Sequence, residues 1–359
     1  MDKLRTEMQK NSRGQLIIPL LALLMLTVFN LFRDPGFFSI SVLINASGDK
    51  VLSGNLISIL NGASELAVLA IGMTLVTAAS KGQDISVGAA AAIAGSVFVR
   101  FLLGSEFTLP MMITAFVASC VVAMLIGTFN GTLVAIFKIQ PMIASLIMFT
   151  TARSIAYWIN GGATPTINNH QWLEYYSRFI PGIPIPTPIF TVIICGILVA
   201  LALRFTNLGL YIQAVGINEK SARLNGIDPV IVKLLAFMIL GLCVAIAASI
   251  NVGRIGLINH ETILRGIEMD AILSVAIGGN SLAGGKFKVT GSVIGAYIIE
   301  GLTNTLYAMR VSSTDIQAYK AVVIILLVVA GSPVLKEKAG RLWSSLWGGR
   351  ETPTVKGDM

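Results

Sequence analysis

The chain has 359 residues, of which 55% are hydrophobic and only 12% are charged. Soluble globular domains carry charges on about a quarter of their residues. Because this chain has too few charges to cover such a surface, the composition excludes a soluble globule and predicts an integral membrane protein. The 26 Lys and Arg residues exceed the 18 Asp and Glu residues, which gives a formal net charge of +8.

Nine long apolar segments and one short segment follow in chain order. A transmembrane helix needs roughly 20 mainly apolar residues, so the sequence predicts an all-α integral membrane protein with about ten transmembrane helices, some broken or short. The short segment, 269–279, contains Asp270 and ends in glycines, so it is either a broken helix or a half-span. The long candidate spans are 16–32, 57–79, 85–103, 110–137, 141–159, 188–205, 233–252, 289–308 and 318–334.

Basic residues indicate the orientation of the chain, because cytoplasmic loops carry an excess of Lys and Arg. With both termini cytoplasmic, the inner segments hold 17 of the 26 basic residues. We therefore expect a cytoplasmic segment over 1–15, one transmembrane domain over 16–335 and a cytoplasmic tail over 336–359. The positive charge follows from this topology and predicts no nucleic-acid partner. The inner segments are 1–15, 80–84, 138–140, 204–233, 280–288 and 335–359.

The stretch GGNSLAGGKFK, residues 278–288, looks at first like a phosphate-binding loop. Such a loop needs Gly, four residues and then Gly-Lys-Ser/Thr, between a buried strand and a helix. Here Asn280 occupies the position of the first glycine and Phe287 that of the hydroxyl residue. The stretch also lies between apolar segments. We therefore expect that the chain binds no nucleotide, and the two isolated histidines predict no metal site.

The one sizeable polar stretch assigned to the cytoplasmic side is 206–232. Asn218 can cap a short helix, Glu219 lies in its first turn and Gly226 can end it. A short helix held along the membrane can fit a groove in another protein. On composition alone, an ordinary connector is favoured two to one over such a protrusion.

Four stretches in the same order resemble one family. They are LAIGMTLVTAASKGQDISVGAAAAIAG, IGTFNGTLVAIFKIQPMIASLIMFTTARSIAY, AVGINEKSARLNGIDPVIVK and EMDAILSVAIGGNSLAGGKFKVTGSVIGAYI. They are similar to the permease subunits in the ribose, galactose and arabinose group of bacterial ABC sugar importers. The segment GDKVLSGNLISILNGASELAVLAIGM looks closest to the galactofuranose-type branch. The family commonly has Pro-Phe-Ile where this chain has Pro141-Met142-Ile143, and Glu300 stands in a normally neutral span.

The resemblance implies a transport subunit of the bacterial inner membrane, not an enzyme, that moves a monosaccharide inward by alternating access. ATP and Mg would bind to a separate cytoplasmic ATPase, and no cofactor to this chain. The other implied partners are an external sugar-binding protein, a second permease copy or paralogue, and membrane lipid. The short helix would dock into an ATPase groove through Ala222 and its neighbours. The residues implied in this coupling are Gly216, Asn218, Glu219, Ala222, Arg223, Gly226 and Ile227.

Polar and charged residues within the apolar segments are candidates for the translocation path or for structural pairing. A sugar is polar and uncharged, which favours hydroxyl and amide groups along the path. The path candidates are Asn130, Thr150, Thr303 and Asn304, and hydrogen bonding between helices is the more favoured role for each one alone. Charges in a span are usually paired or functional. The charged candidates are Glu65, Asp84, Arg153 and Glu300, with Arg153 expected to pair with a carboxylate.

Two alternatives remain at this stage. One is an ABC permease for another small solute, such as a branched-chain amino acid or a nucleoside. The other is an ion-coupled secondary transporter, in which Asp84, Glu65 and Glu300 would form a proton relay. An intramembrane enzyme is least favoured, because no span carries a Ser/Lys, paired-Asp or His-Glu arrangement.

Overall fold

The computed structural model describes residues 2–331 apart from 45–47, 104–107, 168–170 and 313. The tail predicted over 336–359 and the end of the span predicted over 318–334 lie outside the described residues. The described part of the chain forms fourteen helices and two strands. Their bounds are α1 Asp2–Arg33, β1 Ser41–Ile44, β2 Lys50–Ser53, α2 Asn55–Gly62, α3 Ser64–Ser80, α4 Val87–Leu102, α5 Leu109–Ala135, α6 Pro141–Ile159, α7 Gln171–Ser177, α8 Thr187–Phe205, α9 Leu208–Ile217, α10 Glu219–Leu224, α11 Pro229–Ile255, α12 Ile267–Ile277, α13 Val289–Ala308 and α14 Ile316–Gly331.

Four of the described helices, α5, α6, α8 and α11, are long and apolar enough to cross a membrane. Helices α2 and α3 make a fifth span if this pair, which is bent by 40°, is counted as one. Helices α4 and α9 and the Pro19–Arg33 part of α1 are apolar but shorter. The segment predicted to be short is confirmed as the 11-residue helix α12. The structure is thus mostly helical, as expected of a multi-pass membrane protein.

The break between α2 and α3 falls inside a segment that the sequence predicts as one span. Arg254 of α11 donates through Nη2 to the carbonyl oxygen of Asn61 at 2.8 Å, which satisfies a backbone acceptor at the break. Gly62 lies against the carboxylate of Glu300 from α13, and a methyl group there would overlap that carboxylate. Side chains from two neighbouring helices therefore stabilise the bend.

Helix α3 forms the centre of the bundle, because its residues from Ser64 to Ala79 are all buried. Helices α11, α12 and α13 pack against it, and α11 also packs against α5. The α5–α11 crossing is close, since a methyl group at Gly127 or at Gly241 would overlap a carbonyl oxygen of the other helix. Small residues at crossings allow such an approach within lipid.

The prediction of a purely α-helical fold is wrong in one respect. Strands β1 and β2 form an antiparallel hairpin in which Ser41 pairs with Ser53 and Ile44 with Lys50. Each strand has only four residues, which is too short for a clear period-two pattern. In addition, the connection between α6 and α8 contains the helix α7, which packs against α11.

Candidate functional site

The polar segment 206–232 contains two consecutive helices, α9 and α10, joined at Asn218. The predicted short helix is confirmed. Asn218 Oδ1 accepts a hydrogen bond from the backbone N of Ser221 at 3.1 Å, as an N-cap does. Gly226 follows the helix with φ at 78°, a left-handed conformation that glycine adopts at little cost. The backbone N of Ile227 then donates to the carbonyl oxygen of Ala222 at 3.1 Å, which closes the C-terminal end.

Glu219 fixes α10 to two other parts of the bundle. Its carboxylate accepts from Lys138 Nζ at 2.6 Å, in the α5–α6 turn, and from Lys233 Nζ at 2.7 Å, in the first turns of α11. Burial alone would raise the pKa of Glu219, but the two ammonium groups lower it from 4.5 to about 2. The carboxylate is therefore ionised at neutral pH, and a displacement of α10 would act directly on α11 and on the connection between α5 and α6.

The outward face of α10 consists of Lys220, Arg223 and Leu224, which are all exposed and lie three and four residues apart. Leu224 is 89% exposed, whereas Ala222 is only 4% exposed and packs within the core of the chain. Ala222 is thus covered by its own chain, so of the residues predicted to dock it is the exposed neighbours that face outward; the docking itself stays a prediction. Sequence reasoning missed Leu224, although an apolar residue ending a polar helix is the signal that could have found it.

The C-terminal end of α9 packs closely on the C-terminal end of α3. Gly216 is buried there, and a methyl group at this position would overlap the carbonyl oxygen of Ala78. The same carbonyl accepts a hydrogen bond from the backbone N of Gly285 at 3.0 Å. Lys81, just after α3, donates through Nζ to the carbonyl oxygen of Ile217 at 3.1 Å. The end of α9, the end of α3 and the glycine-rich loop therefore meet at one point.

The glycine-rich loop 278–288 is closed by its own asparagine. Asn280 Oδ1 accepts from the backbone N of Lys288 at 2.6 Å, and Asn280 Nδ2 donates to the carbonyl oxygen of Lys288 at 3.0 Å. The same Nδ2 atom donates to Ser292 Oγ at 2.8 Å. The residue that breaks the phosphate-loop pattern thus holds both ends of the loop together, and Lys286 lies exposed at the surface.

The α3–α4 turn, residues 81–86, connects this point to further helices. Gln83 Nε2 donates to the carbonyl oxygen of Leu282 in the glycine-rich loop at 3.1 Å. The backbone N of Ile85 donates to Ser145 Oγ of α6 at 3.0 Å. Lys81 of the same turn bonds to α9. Three residues of the turn therefore contact three different elements: α9, the glycine-rich loop and α6.

Asp84 connects the same turn to α5. Its Oδ1 atom accepts from the backbone N and the hydroxyl of Ser86, at 2.8 and 2.6 Å. Its Oδ2 atom accepts from Asn130 Nδ2 of α5 at 3.0 Å, and Asn130 Nδ2 also lies 2.9 Å from Ser86 Oγ. Asp84 and Asn130 are 3% and 1% exposed. This buried cluster joins Asp84, which the sequence predicts as a charge within a span, to Asn130, which it predicts as a candidate for the translocation path.

The four path candidates are not brought together within one chain. Asn130 belongs to the Asp84 cluster, whereas Thr150 is exposed on α6 and donates to the carbonyl oxygen of its own helix at Ile147, at 2.9 Å. Thr303 donates to the carbonyl oxygen of Ile299 at 2.9 Å, also within its own helix. Asn304 donates to Glu300 Oε1 at 3.0 Å on the same helix. Of these four candidates, Asn130 is therefore the one whose side chain forms a hydrogen bond to another element among the described residues.

Glu65 is the charged candidate with a buried ion pair. Its Oε2 atom lies 3.3 Å from Arg254 Nη1, and its Oε1 atom accepts from Asn251 Nδ2 at 3.3 Å. Both partners belong to α11, so the pair joins α3 to α11 at the end opposite the α3–α4 turn. Sequence reasoning missed Arg254, because its pairing depends on how two distant helices cross.

Arg153 forms no ion pair within 4.0 Å among the described residues, although the Glu268 carboxylate is near enough to interact with it electrostatically. Its Nη1 atom donates to the carbonyl oxygens of His260, Glu261 and Ile263 at 2.8, 3.1 and 3.3 Å. A guanidinium group has five donors in a rigid fork, so it can bind several backbone acceptors of one turn. Arg153 thus fixes the segment between α11 and α12 to α6.

A proton relay through Glu65, Asp84 and Glu300 finds no support in this geometry. Glu65 lies at the start of α3 and Asp84 beyond its end. At 1.5 Å per residue, the length of α3 places them more than about 20 Å apart. Asp84 bonds only with Ser86 and Asn130 among the described residues. Glu65 and Asp84 therefore belong to two separate clusters.

Long apolar helices around a fully buried α3, with a polar helix anchored at one end, define a multi-pass membrane protein with a candidate docking surface. The sequence matches the family model described as "Branched-chain amino acid transport system / permease component" over residues 55–331. The chain belongs to this family of ABC importer permeases. It is a transport component rather than an enzyme.

Known relatives match most of the chain. The galactofuranose transporter permease protein of Escherichia coli is 36% identical over 87% of this chain and 88% of the relative. The fructose import permease protein of Bifidobacterium longum is 34% identical over 88% and 86%. The ribose import permease protein of Escherichia coli is 34% identical over 86% and 91%. No solved structure gives a significant match.

Proposed function

We propose that this chain forms the transmembrane path of an importer for a monosaccharide in the bacterial inner membrane. Three of its relatives are named for galactofuranose, fructose and ribose. In this proposal the chain crosses the membrane about ten times with both termini cytoplasmic, and 16–335 form one transmembrane domain. A cytoplasmic ATPase, which binds ATP and Mg, an external sugar-binding protein and a second permease subunit complete the importer.

The observation that carries the proposal is the outward face of α10. This face presents one apolar side chain, Leu224, flanked by the basic Lys220 and Arg223. The opposite face fixes the helix to the bundle through the ion pairs of Glu219 and the burial of Ala222. A short helix that is rigidly anchored and exposed on one face can transmit a push from a partner protein. We assign this face to the ATPase.

The hydrogen bonds of the α10 region support a route for that push. Motion of α10 acts on α11 through the Glu219–Lys233 pair and, through the end of α9, on the α3–α4 turn. The turn contacts α5 through Asp84 and α6 through Ile85. Closure of the ATPases would thereby tilt α5, α6 and α11 together, as alternating access requires.

The test uses the importer assembled with its own ATPase and binding protein. Leu224→Asp places a charge where an apolar contact is expected, and loss of an interface hot spot costs about 2 kcal/mol or more. We expect loss of ATPase co-purification and of sugar uptake, with normal membrane insertion. Leu224→Met is the matched control, because it keeps an apolar side chain of similar volume. Full co-purification and uptake by the Asp variant would contradict the proposal.

A further inference from the structure

A groove of about 850 Å³ lies between α8, α9 and α13, at the end of the bundle that carries α10. Its walls are mainly apolar, with Ile193 and Ile197 from α8 and Val293 from α13 among the lining residues. The volume lies within the range of about 300–1,000 Å³ typical of small-molecule sites. One wall belongs to α8, a helix long and apolar enough to cross a membrane, so the acyl chains of a lipid fit the character of this groove.

Most polar groups of the groove lie at one end, and Tyr297 of α13 lines the wall further along. Lys288 precedes α13, and Thr290 lies in the first turn of that helix, whereas Gln213 comes from α9. The backbone of Lys288 is held in place by the hydrogen bonds of Asn280 to its N and O atoms. Two further basic residues, Arg204 in the last turn of α8 and the exposed Lys286, lie at the same end of these helices.

We propose that this groove binds a phospholipid with an anionic headgroup from the leaflet on the α10 side. Its acyl chains would lie along the apolar walls, and its phosphate would meet the ammonium group of Lys288 and the amide of Gln213. Basic pockets between transmembrane helices on the cytoplasmic side recognise anionic headgroups in this way. The site is independent of the transported solute, and the proposed function only determines which leaflet supplies the lipid.

Gly196 of α8 offers a direct means of filling the groove. It lines the groove, and a methyl group built on it would meet no atom within 4 Å. Gly196→Leu therefore occupies the groove without disturbing the contacts of its own chain. Leu198→Ala is the matched control on the same helix, since Leu198 is 60% exposed and does not line the groove.

The experiment uses the importer in nanodiscs of phosphatidylcholine that contain a photoactivatable phosphatidylglycerol with the reactive group on an acyl chain. A photoactivatable phosphatidylcholine is used in parallel, and labelled peptides are identified by mass spectrometry. We expect phosphatidylglycerol to label α8 and α13 about fivefold more than phosphatidylcholine, because one basic residue contributes about 1 kcal/mol to anionic-lipid binding. Lys288→Gln should remove this preference, and Gly196→Leu should abolish labelling by both lipids. Arg100→Gln removes an exposed charge outside the groove and should change neither.

Equal labelling by the two lipids in the unmodified protein would overturn the proposal, as would unchanged labelling in Gly196→Leu. Absence of labelling together with a changed subunit stoichiometry in Gly196→Leu would assign the groove to a second permease copy instead. Unlabelled phosphatidylglycerol should compete with the probe in the unmodified protein, which gives a test that needs no variant. ATPase co-purification, measured on the same samples, separates failure of this proposal from failure of the proposed function.

Discussion

Asn130 gives the sharpest test of the buried cluster at the α3–α4 turn. Among the described residues, its amide is the one side-chain link from α5 to this turn, with Nδ2 at 3.0 Å from Asp84 Oδ2 and 2.9 Å from Ser86 Oγ. Asn130→Leu removes both contacts and keeps a side chain of comparable size. Asp84 retains the backbone and hydroxyl donors of Ser86, so its carboxylate loses one hydrogen bond and keeps two.

The expected loss follows from these contacts. A hydrogen bond to a charged group contributes about 1.5–3 kcal/mol in proteins generally. Hydrogen bonds between helices in a membrane protein average about 0.6 kcal/mol and reach about 1.7. Because Asp84 is buried and keeps its other donors, we expect Asn130→Leu to lower the free energy of unfolding by about 1–2 kcal/mol.

Unfolding in mixed detergent micelles measures this difference. Thr303→Val is the matched control, because its hydroxyl bonds only with its own helix, and it should change the free energy by less than about 0.5 kcal/mol. In proteoliposomes, Asn130→Leu should also raise the amount of ATP hydrolysed per sugar transported, since α5 loses its link to the turn. A variant no less stable than Thr303→Val, with unchanged stoichiometry, would refute this reasoning.

Three further predictions concern the ion pairs of Glu219, the Glu65–Arg254 pair and the topology. Glu219→Gln should weaken ATPase co-purification by a constant factor between about pH 5 and 8. The reason is that the pKa of Glu219 is lowered to about 2, so the native ion pairs are intact above about pH 4.5 and are lost only towards pH 2. A pull-down pH series in which the difference between variant and native protein vanishes near pH 6 would contradict this prediction. Arg254→Met leaves Glu65 buried without its cation and should lower the free energy of unfolding by about 3–5 kcal/mol. Adding Glu65→Leu to this variant should recover much of that free energy. Equal stability of the single and double variants would count against the ion pair. A reporter fused after residue 165 should be external and one after residue 222 cytoplasmic, and the opposite labelling pattern would reverse the proposed topology.

The sequence predicts those features whose causes are local. The helix α10 depends on the cap at Asn218 and the stop at Gly226, both within a few residues, and the structure confirms it. The direction of Ala222 depends instead on which helices cover α10, so the same pattern could not show that it points inward. The hairpin β1–β2 is too short for its periodicity to stand out.

Pairing between charged residues could not be read from the sequence for a related reason. Arg153 and Arg254 both lie within apolar helices, yet among the described residues only Arg254 of the two comes within 4.0 Å of a carboxylate, that of Glu65. The choice depends on helix crossings set by small residues such as Gly241. The path candidates stay predictions for a different reason. Thr150 faces outward on α6, so its role in a path depends on a surface supplied by another subunit.

The central claim is that the outward face of α10 contacts the ATPase, and site-directed photo-crosslinking tests it most directly. Cys120, Cys195 and Cys243 are first replaced, and a single cysteine is introduced as Leu224→Cys or Ala222→Cys and labelled with a benzophenone maleimide. Because Leu224 is 89% exposed and Ala222 4% exposed, we expect strong labelling and an ATPase crosslink from position 224 and little of either from position 222. A crosslink from position 222 alone, or efficient labelling at 224 without any ATPase crosslink in the assembled importer, would contradict the account.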